Sequence, residues 1–265
     1  MQEVKKRDLH MHSWCSDGED SPTQVVRWAK EQGIQEMALT DHDNADGVAE
    51  AMKEAEAQEI LFHTGIEFST EIQGHIELHI LGYDIDIENS VLQEACQKIR
   101  EKRNRRNEKM MTLLHQKFGI TREAIIQREG QSFIGKPVMA RALVREGCVK
   151  SYSEAFEKVF ETEEFKKIKK EKISAFEAID IIKEAGGIAV LAHPGIIKNI
   201  GPRQSDQFRE NFENILEELV EAGLDGLECI YRKHFDEENS YFVKCAEKHS
   251  ILITEGSDYH GVNSL

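Results

Sequence analysis

The chemistry this chain can do is carried by its histidines and carboxylates and by where they fall. Of 11 histidines, six stand at or just past the ends of short stretches that read as strands: His10, His12, His42, His79, His193 and His260. Asp17, Asp41, Glu67 and Asp258 hold the same kind of position. Residues at i and i+2 of an extended segment point to one side, so His10/His12 and Asp258/His260 are potential two-ligand clamps. Imidazole with carboxylate and no thiolate suits Zn, Mn or Fe and disfavours Ca or a lone Mg. Nine donors (the six histidines with Asp17, Glu67 and Asp258) exceed what one ion with open positions takes. Two or three ions sharing a bridging carboxylate is the economical arrangement, and Glu67 is the natural bridge.

Ions about 3.5–4 Å apart suit in-line displacement at phosphorus. A water shared between them loses a proton near neutral pH and attacks, while the same ions neutralise charge growing on the phosphoryl oxygens. Glu67, Asp258 and His193 are the residues expected nearest that chemistry.

Elements in regular order position these side chains. Ser21, Pro22 and Gln24 form a capping box with Pro at the first helical position, and Gly33 ends that helix. Strands are expected at Arg7–His10, Met37–Thr40, Gly65–Phe68, His75–Leu81, Ile188–Leu191, Gly226–Ile230 and Ile251–Thr254. Helices fall between most of them: about Asp46–Ala57, Ser90–Phe118, one opening at Ser174, Asp206–Ala222 and Glu237–His249. Strand–helix alternation predicts a parallel α/β sheet buried on both faces, either closed into a barrel or doubly wound.

Composition sets the outer limits. The chain has 265 residues with 40 % hydrophobic and 31 % charged, which excludes collagen, coiled-coil and disordered classes. Its net charge of −15 is uneven: residues 96–172 hold 20 basic against 11 acidic side chains, and the remainder carries −24. The acidic body argues against a long duplex nucleic-acid partner, and no apolar run is long enough to span a membrane. The five scattered cysteines and an amino terminus without a signal-peptide core fit a cytoplasmic protein with no disulfide frame.

Five ordered segments resemble the PHP (polymerase and histidinol phosphatase) superfamily. Asp8-Leu9-His10-Met11-His12-Ser13 with Ser16-Asp17-Gly18 is similar to its first motif, and Leu39-Thr40-Asp41-His42-Asp43 to its second. Gly65-Ile66-Glu67-Phe68-Ser69 with His79-Ile80-Leu81-Gly82-Tyr83 resembles the third. Ala192-His193-Pro194-Gly195 and Gly256-Ser257-Asp258-Tyr259-His260-Gly261 resemble the rest. The resemblance implies a distorted (β/α)7 TIM-like barrel, residues 1–95 and 173–265, with a basic helical insertion at 96–172 serving as a substrate cap. It also implies a trinuclear site. His10, His12, Glu67 and Asp258 would hold one ion, Glu67, His79 and His193 a second, and Asp17, His42 and His260 a third. His75 shares a face with His79 but is left as a surface residue.

An attack on a phosphate ester needs cations that orient the dianion. The insertion supplies Arg100, Arg103 and Arg106, three apart on a helix, and Lys136 in Gly135-Lys136-Pro137-Val138. The nearest subgroup resembles bacterial PHP enzymes acting on nucleoside 3′,5′-bisphosphates and on the 5′ ends of short RNA. There the stretch at Gly135 usually reads Gly-Arg-Pro-His, so Lys136 and Val138 depart from it, as does Glu255 where Gly is common. His234, past the sixth strand, is expected to contact substrate, and Lys166–Lys170 to be a solvated linker. The expected activity is hydrolysis of a phosphomonoester on a small nucleotide. A 5′→3′ exonuclease on short oligonucleotides, a histidinol-phosphate phosphatase and a metal-stabilised scaffold are the alternatives.

Overall fold

The computed structural model describes residues 6–126 and 133–262. Residues 1–5, most of the lead into the first strand, lie outside the described residues. Eight strands share one sheet: β1 (Arg7–Asp8), β2 (Glu36–Leu39), β3 (Leu61–Ile72), β4 (Ile76–Tyr83), β5 (Ile173–Ser174), β6 (Ile188–Leu191), β7 (Gly226–Tyr231) and β8 (Leu252–Gly256). Seven follow the order β1-β2-β3-β4-β6-β7-β8, and β5 pairs beside β3. Leu9 N–H donates to Glu255 C=O (3.0 Å) and Met11 bridges Tyr259, which brings the last strand round to the first. The fold is a barrel of the TIM-like kind, not a doubly wound sheet.

One expectation is corrected here. The sheet is mixed, because β4 runs antiparallel to both β3 and β6. A tight turn at Gln73 and Gly74, both at positive φ (54° and 73°), joins β3 directly to β4 as a hairpin. No crossover helix stands between these two strands, and a parallel pairing needs one. The barrel is distorted at this pair.

Ten α-helices complete the described residues: α1 (Pro22–Glu31), α2 (Val48–Ala57), α3 (Ser90–Phe118), α4 (Arg122–Ile125) and α5 (Lys136–Arg145), then α6 (Tyr152–Ala155), α7 (Glu163–Lys166), α8 (Ala175–Glu184), α9 (Asp206–Glu221) and α10 (Asp236–His249). The Ser21 hydroxyl accepts from Gln24 N–H, and the Gln24 side chain returns to Ser21 N–H, so the capping box forms. Inside the barrel Leu9, Ala38, Leu81, Tyr83, Val190 and Ala192 pack together, a filled interior rather than a pore. The largest core lies between the sheet and α8, α9 and α10.

Helix α3 links two cores. Leu92, Cys96 and Ile99 pack on the barrel side, whereas Met110, Met111 and Leu114 belong to a separate cluster with Val138, Leu143, Phe160 and Phe165. A 29-residue helix whose two ends serve different cores connects the basic segment to the barrel. Among the described residues no helix is long and apolar enough to cross a membrane.

Candidate metal centre

Backbone pairing continues past the strands and fixes where the polar side chains project. Beyond β2, Thr40 N–H donates to Met11 C=O, and Asp43 N–H donates to Glu67 C=O (2.9 Å). His42 and Glu67 form an isolated parallel bridge, and Ala192 N–H donates to His79 C=O. Each candidate donor is therefore held by the hydrogen bonds of its own backbone or its neighbour's.

The nine expected donors converge at one mouth of the barrel, with Glu67 at the centre. Glu67 Oε1 lies 2.8 Å from His79 Nδ1, 3.1 Å from His193 Nε2 and 3.3 Å from His10 Nε2. Its Oε2 lies 2.9 Å from His42 Nδ1 and 3.3 Å from His12 Nε2. Asp258 Oδ1 lies 3.3 Å from His12 Nε2, and Asp17 Oδ1 lies 3.1 Å from His260 Nε2. Three overlapping groups have donor atoms within 4.8 Å of one another: His12, Asp17, His42 and His260; His10, His12 and Glu67; His42, Glu67 and His79.

Glu67 Oε1 is hydrogen-bonded to His79 and His193, but other donor atoms of the cluster are close without being paired. Asp17 Oδ1, His42 Nδ1 and Glu67 Oε2 are buried and make no hydrogen bond. His10 Nε2 and His12 Nε2 face each other at 3.1 Å. Buried polar atoms are almost always satisfied by protein or water. Lone pairs side by side and aimed into shared space fit divalent cations, so the donor set passes the test that a metal centre demands.

Charge in the cluster is arranged accordingly. Burial alone would raise the Glu67 carboxyl, but His42, His79 and His10 outweigh it and hold it well below the ordinary range. Asp258 is likewise held low against burial, by His12 and then His10. His12, fully buried and next to His260, is pushed down to about 3, which leaves its imidazole neutral. His260, by contrast, is raised to about 9 in spite of burial, because Asp17 faces it.

Residues that the sequence reading passed over support this cluster. Glu228, fully buried on β7, accepts from His10 Nδ1 (2.9 Å) and from His193 N–H (2.6 Å). Tyr231 O–H donates to Asp258 Oδ2 (2.9 Å). Asp41, placed among the strand-end carboxylates, accepts from Ser13 N–H, Ser13 Oγ–H and Ser16 Oγ–H and so pins the loop that follows His12. A charged residue inside the apolar run Gly226-Leu227-Glu228-Cys229-Ile230 was the signal available for Glu228.

The insertion approaches from beside His42. Arg103, almost fully buried, donates to Asp43 Oδ2 (2.5 Å) and stacks 4.2 Å above the Phe133 ring. Arg100 is held by Asp46. Arg106 is different: its Nε is buried without a hydrogen-bond partner, and burial and then Arg103 lower its pKa. Lys136, half-buried, lies 5.7 Å from the Phe160 ring and is lowered by burial and Arg106. One expectation needs correcting. Lys170 is no solvated linker residue, since its Nζ lies 3.4 Å from the buried Asp43 carboxylate. His234 faces inward: its Nε2 accepts from Gly195 N–H (3.0 Å), and its Nδ1 faces Asn239 Oδ1 and Cys229 C=O. Both ring nitrogens are engaged, and the ring supports the loop after His193. Glu255 turns outward to Arg7 across the β1–β8 seam (2.5 Å), and His75 is exposed with Nδ1 on Gln73 C=O.

The chain is similar to several characterised proteins over nearly its whole length. A 3′,5′-nucleoside bisphosphate phosphatase from Chromobacterium violaceum is 32 % identical over 96 % of this chain and 86 % of its own. The 5′-3′ exoribonuclease Rnm of Escherichia coli is 28 % identical, over 96 % of this chain and 84 % of its own. Among solved structures, an amidohydrolase from Chromobacterium violaceum superposes with a TM-score of 0.87 at 31 % identity, covering 98 % of this chain and 89 % of that one. A candidate metal-dependent phosphoesterase from Bifidobacterium adolescentis gives 0.85 at 30 % identity, covering 98 % and 89 %. The profile of the PHP domain matches residues 8–231, and the chain belongs to the PHP domain family.

Proposed function

We propose that this protein is a metal-dependent phosphoesterase that removes a phosphate monoester from a small nucleotide carrying a second phosphate, such as a nucleoside 3′,5′-bisphosphate. The enzyme is a hydrolase of phosphate ester bonds. The observation that carries the reading is the Glu67 carboxylate ringed by five histidines, with the insertion's buried Arg103 held by Asp43, one residue past His42.

Two or three divalent ions (Mn, Fe or Zn) fit the nine donors. His10, His12, Glu67 and Asp258 would hold one, Glu67, His79 and His193 another, and Asp17, His42 and His260 a third. When bound, such ions supply Lewis-acid activation of water and of the phosphoryl oxygens. The protein's share is positional. Glu67 and Asp258 stay ionised, Tyr231 fixes the Asp258 carboxylate, and the backbone around His193 is held by Glu228. Residues 96–172 act as a cap on the barrel formed by 1–95 and 173–265. Arg106 and Lys136 take the non-scissile phosphate, with Arg103 behind them, already neutralised in part by Asp43. Lys at 136 neutralises an anion without the two-pronged grip of Arg, which suits a terminal phosphate met end-on.

Phosphate release from Mn²⁺-loaded protein tests this with a nucleoside 3′,5′-bisphosphate, AMP, histidinol phosphate and a 5′-phosphorylated trinucleotide. The bisphosphate should be turned over with the highest kcat/KM. Metal-bound protein that turns over none of the four would leave the scaffold reading. Mononucleotide release from the trinucleotide at a matching rate would favour the exonuclease, a reading supported by the likeness to the exoribonucleases of Escherichia coli and Haemophilus influenzae.

A further inference from the structure

Among the described residues, Glu228 is the one fully buried carboxylate beside the cluster that is not itself among the expected donors to an ion and yet touches two of them. Its Oε1 lies 2.9 Å from His10 Nδ1, and its Oε2 accepts the backbone N–H of His193 at 2.6 Å. Neither contact is incidental to the fold. His193 sits at φ 29° and ψ 58°, a left-handed conformation that a side-chain-bearing residue keeps only where its surroundings hold it. The bond from its N–H to Glu228 is one such hold, placed at the residue that leaves β6 and turns into the Pro194-Gly195 loop. Space for the carboxylate is reserved by a glycine. A Cβ at Gly256 would stand 2.5 Å from Glu228 Oε1 and 2.3 Å from His10 Cβ, so no side chain fits there without displacing the pair.

We infer that Glu228 is a positioning residue whose single carboxylate presets two ligands at once: it fixes the His10 ring with its proton on Nδ1, and it fixes the backbone that aims His193. A carboxylate that accepts from Nδ1 leaves the Nε2 lone pair for a cation, and Nε2 is the atom that faces Glu67 Oε1 (3.3 Å) and Asp258 Oδ1 (3.6 Å). His10 and His193 belong to different ion positions in the proposed assignment, so one side chain orients both and loss of it weakens both. The inference rests on the metal-site reading above.

Two measurements test it. Glu228→Gln keeps the shape but can accept with only one oxygen, so its amide N–H₂ must oppose either His10 Nδ1–H or His193 N–H. Its Mn²⁺ affinity, read as bound metal against free metal by mass spectrometry of dialysed protein, should fall roughly 10–100-fold. kcat should recover in part at saturating Mn²⁺. The second measurement needs no variant: in Zn²⁺-loaded wild type, nitrogen-edited NMR should show the His10 proton on Nδ1. Unchanged Mn²⁺ affinity in the variant, or a His10 proton on Nε2 in the wild type, overturns the role of Glu228. Wild-type protein that takes up no divalent metal overturns the underlying metal-site reading instead, and the two failures are distinguished by that control.

Discussion

Asp43 and Arg103 form a buried ion pair, 2.5 Å from Oδ2 to the guanidinium, one residue past His42. The same carboxylate takes Ser69 N–H on Oδ1 (2.8 Å) and has Lys170 Nζ at 3.4 Å from Oδ2, while Asp43 N–H donates to Glu67 C=O. Two cations of the insertion and one backbone N–H of β3 therefore meet at one side chain, while the backbone of the same residue is tied to β3 through Glu67 C=O. Burial would raise Asp43, but Lys170 and Arg103 outweigh it and bring it to about 2, so it stays ionised at any working pH. The insertion is fastened to the barrel beside the metal centre.

Removing that fastening should cost both stability and substrate affinity. Asp43→Asn leaves the buried Arg103 and the part-exposed Lys170 without an anion, a change worth about 3–5 kcal/mol for a buried pair. Denaturant unfolding should show a loss of that order. KM for the phosphate substrate should rise more than kcat falls, because the nine donors are untouched. An unchanged unfolding midpoint would contradict the pair's structural role.

Glu67→Gln removes the shared negative charge that five imidazoles surround. Activity should be abolished, and metal content per chain should drop by at least one ion, measured by elemental analysis after dialysis against Mn²⁺. Full activity with full metal would show that Glu67 does not bridge.

Arg106→Ala and Lys136→Ala should separate the two phosphates of the substrate. A charge-assisted hydrogen bond lost without replacement costs about 1.5–3 kcal/mol, or roughly 10–100-fold. KM for a nucleoside 3′,5′-bisphosphate should rise by that factor, with kcat for a monophosphate little changed. Equal effects on both substrates would place these cations at the scissile group or outside the site.

That these nine side chains come together was legible in the sequence because strand ends and i, i+2 spacing are local patterns, and the motif order carried the family. The antiparallel β4 was not legible: the Gln73-Gly74-His75 turn that reverses the chain is only three residues long, and an apolar–polar alternation does not state direction. Lys170 was misread because it lies in a run of lysines that looks solvated, and only its approach to Asp43, 127 positions earlier, distinguishes it. Glu228 shows the same limit, since its two partners come from β1's end and from the loop after β6. Long-range pairing decides the supporting residues, and local pattern decides the donors.

His234 offers the sharpest contrast between the two kinds of reasoning. Its position after the sixth strand suggested a substrate contact, yet its Nε2 receives Gly195 N–H and its ring packs 4.9 Å from Phe242. Burial lowers its pKa, so the neutral ring can accept that bond. A Cβ on Gly195 would meet His234 at 2.7 Å, which shows how closely the loop rests on the ring. His234→Ala should therefore destabilise the protein by about 1–3 kcal/mol, since it strands a buried N–H and opens a cavity. Through the loosened Pro194-Gly195 turn it should also reduce metal retention at His193. At saturating metal, KM should stay within about twofold of wild type. A large rise in KM with unaltered stability would return His234 to the substrate side of the site.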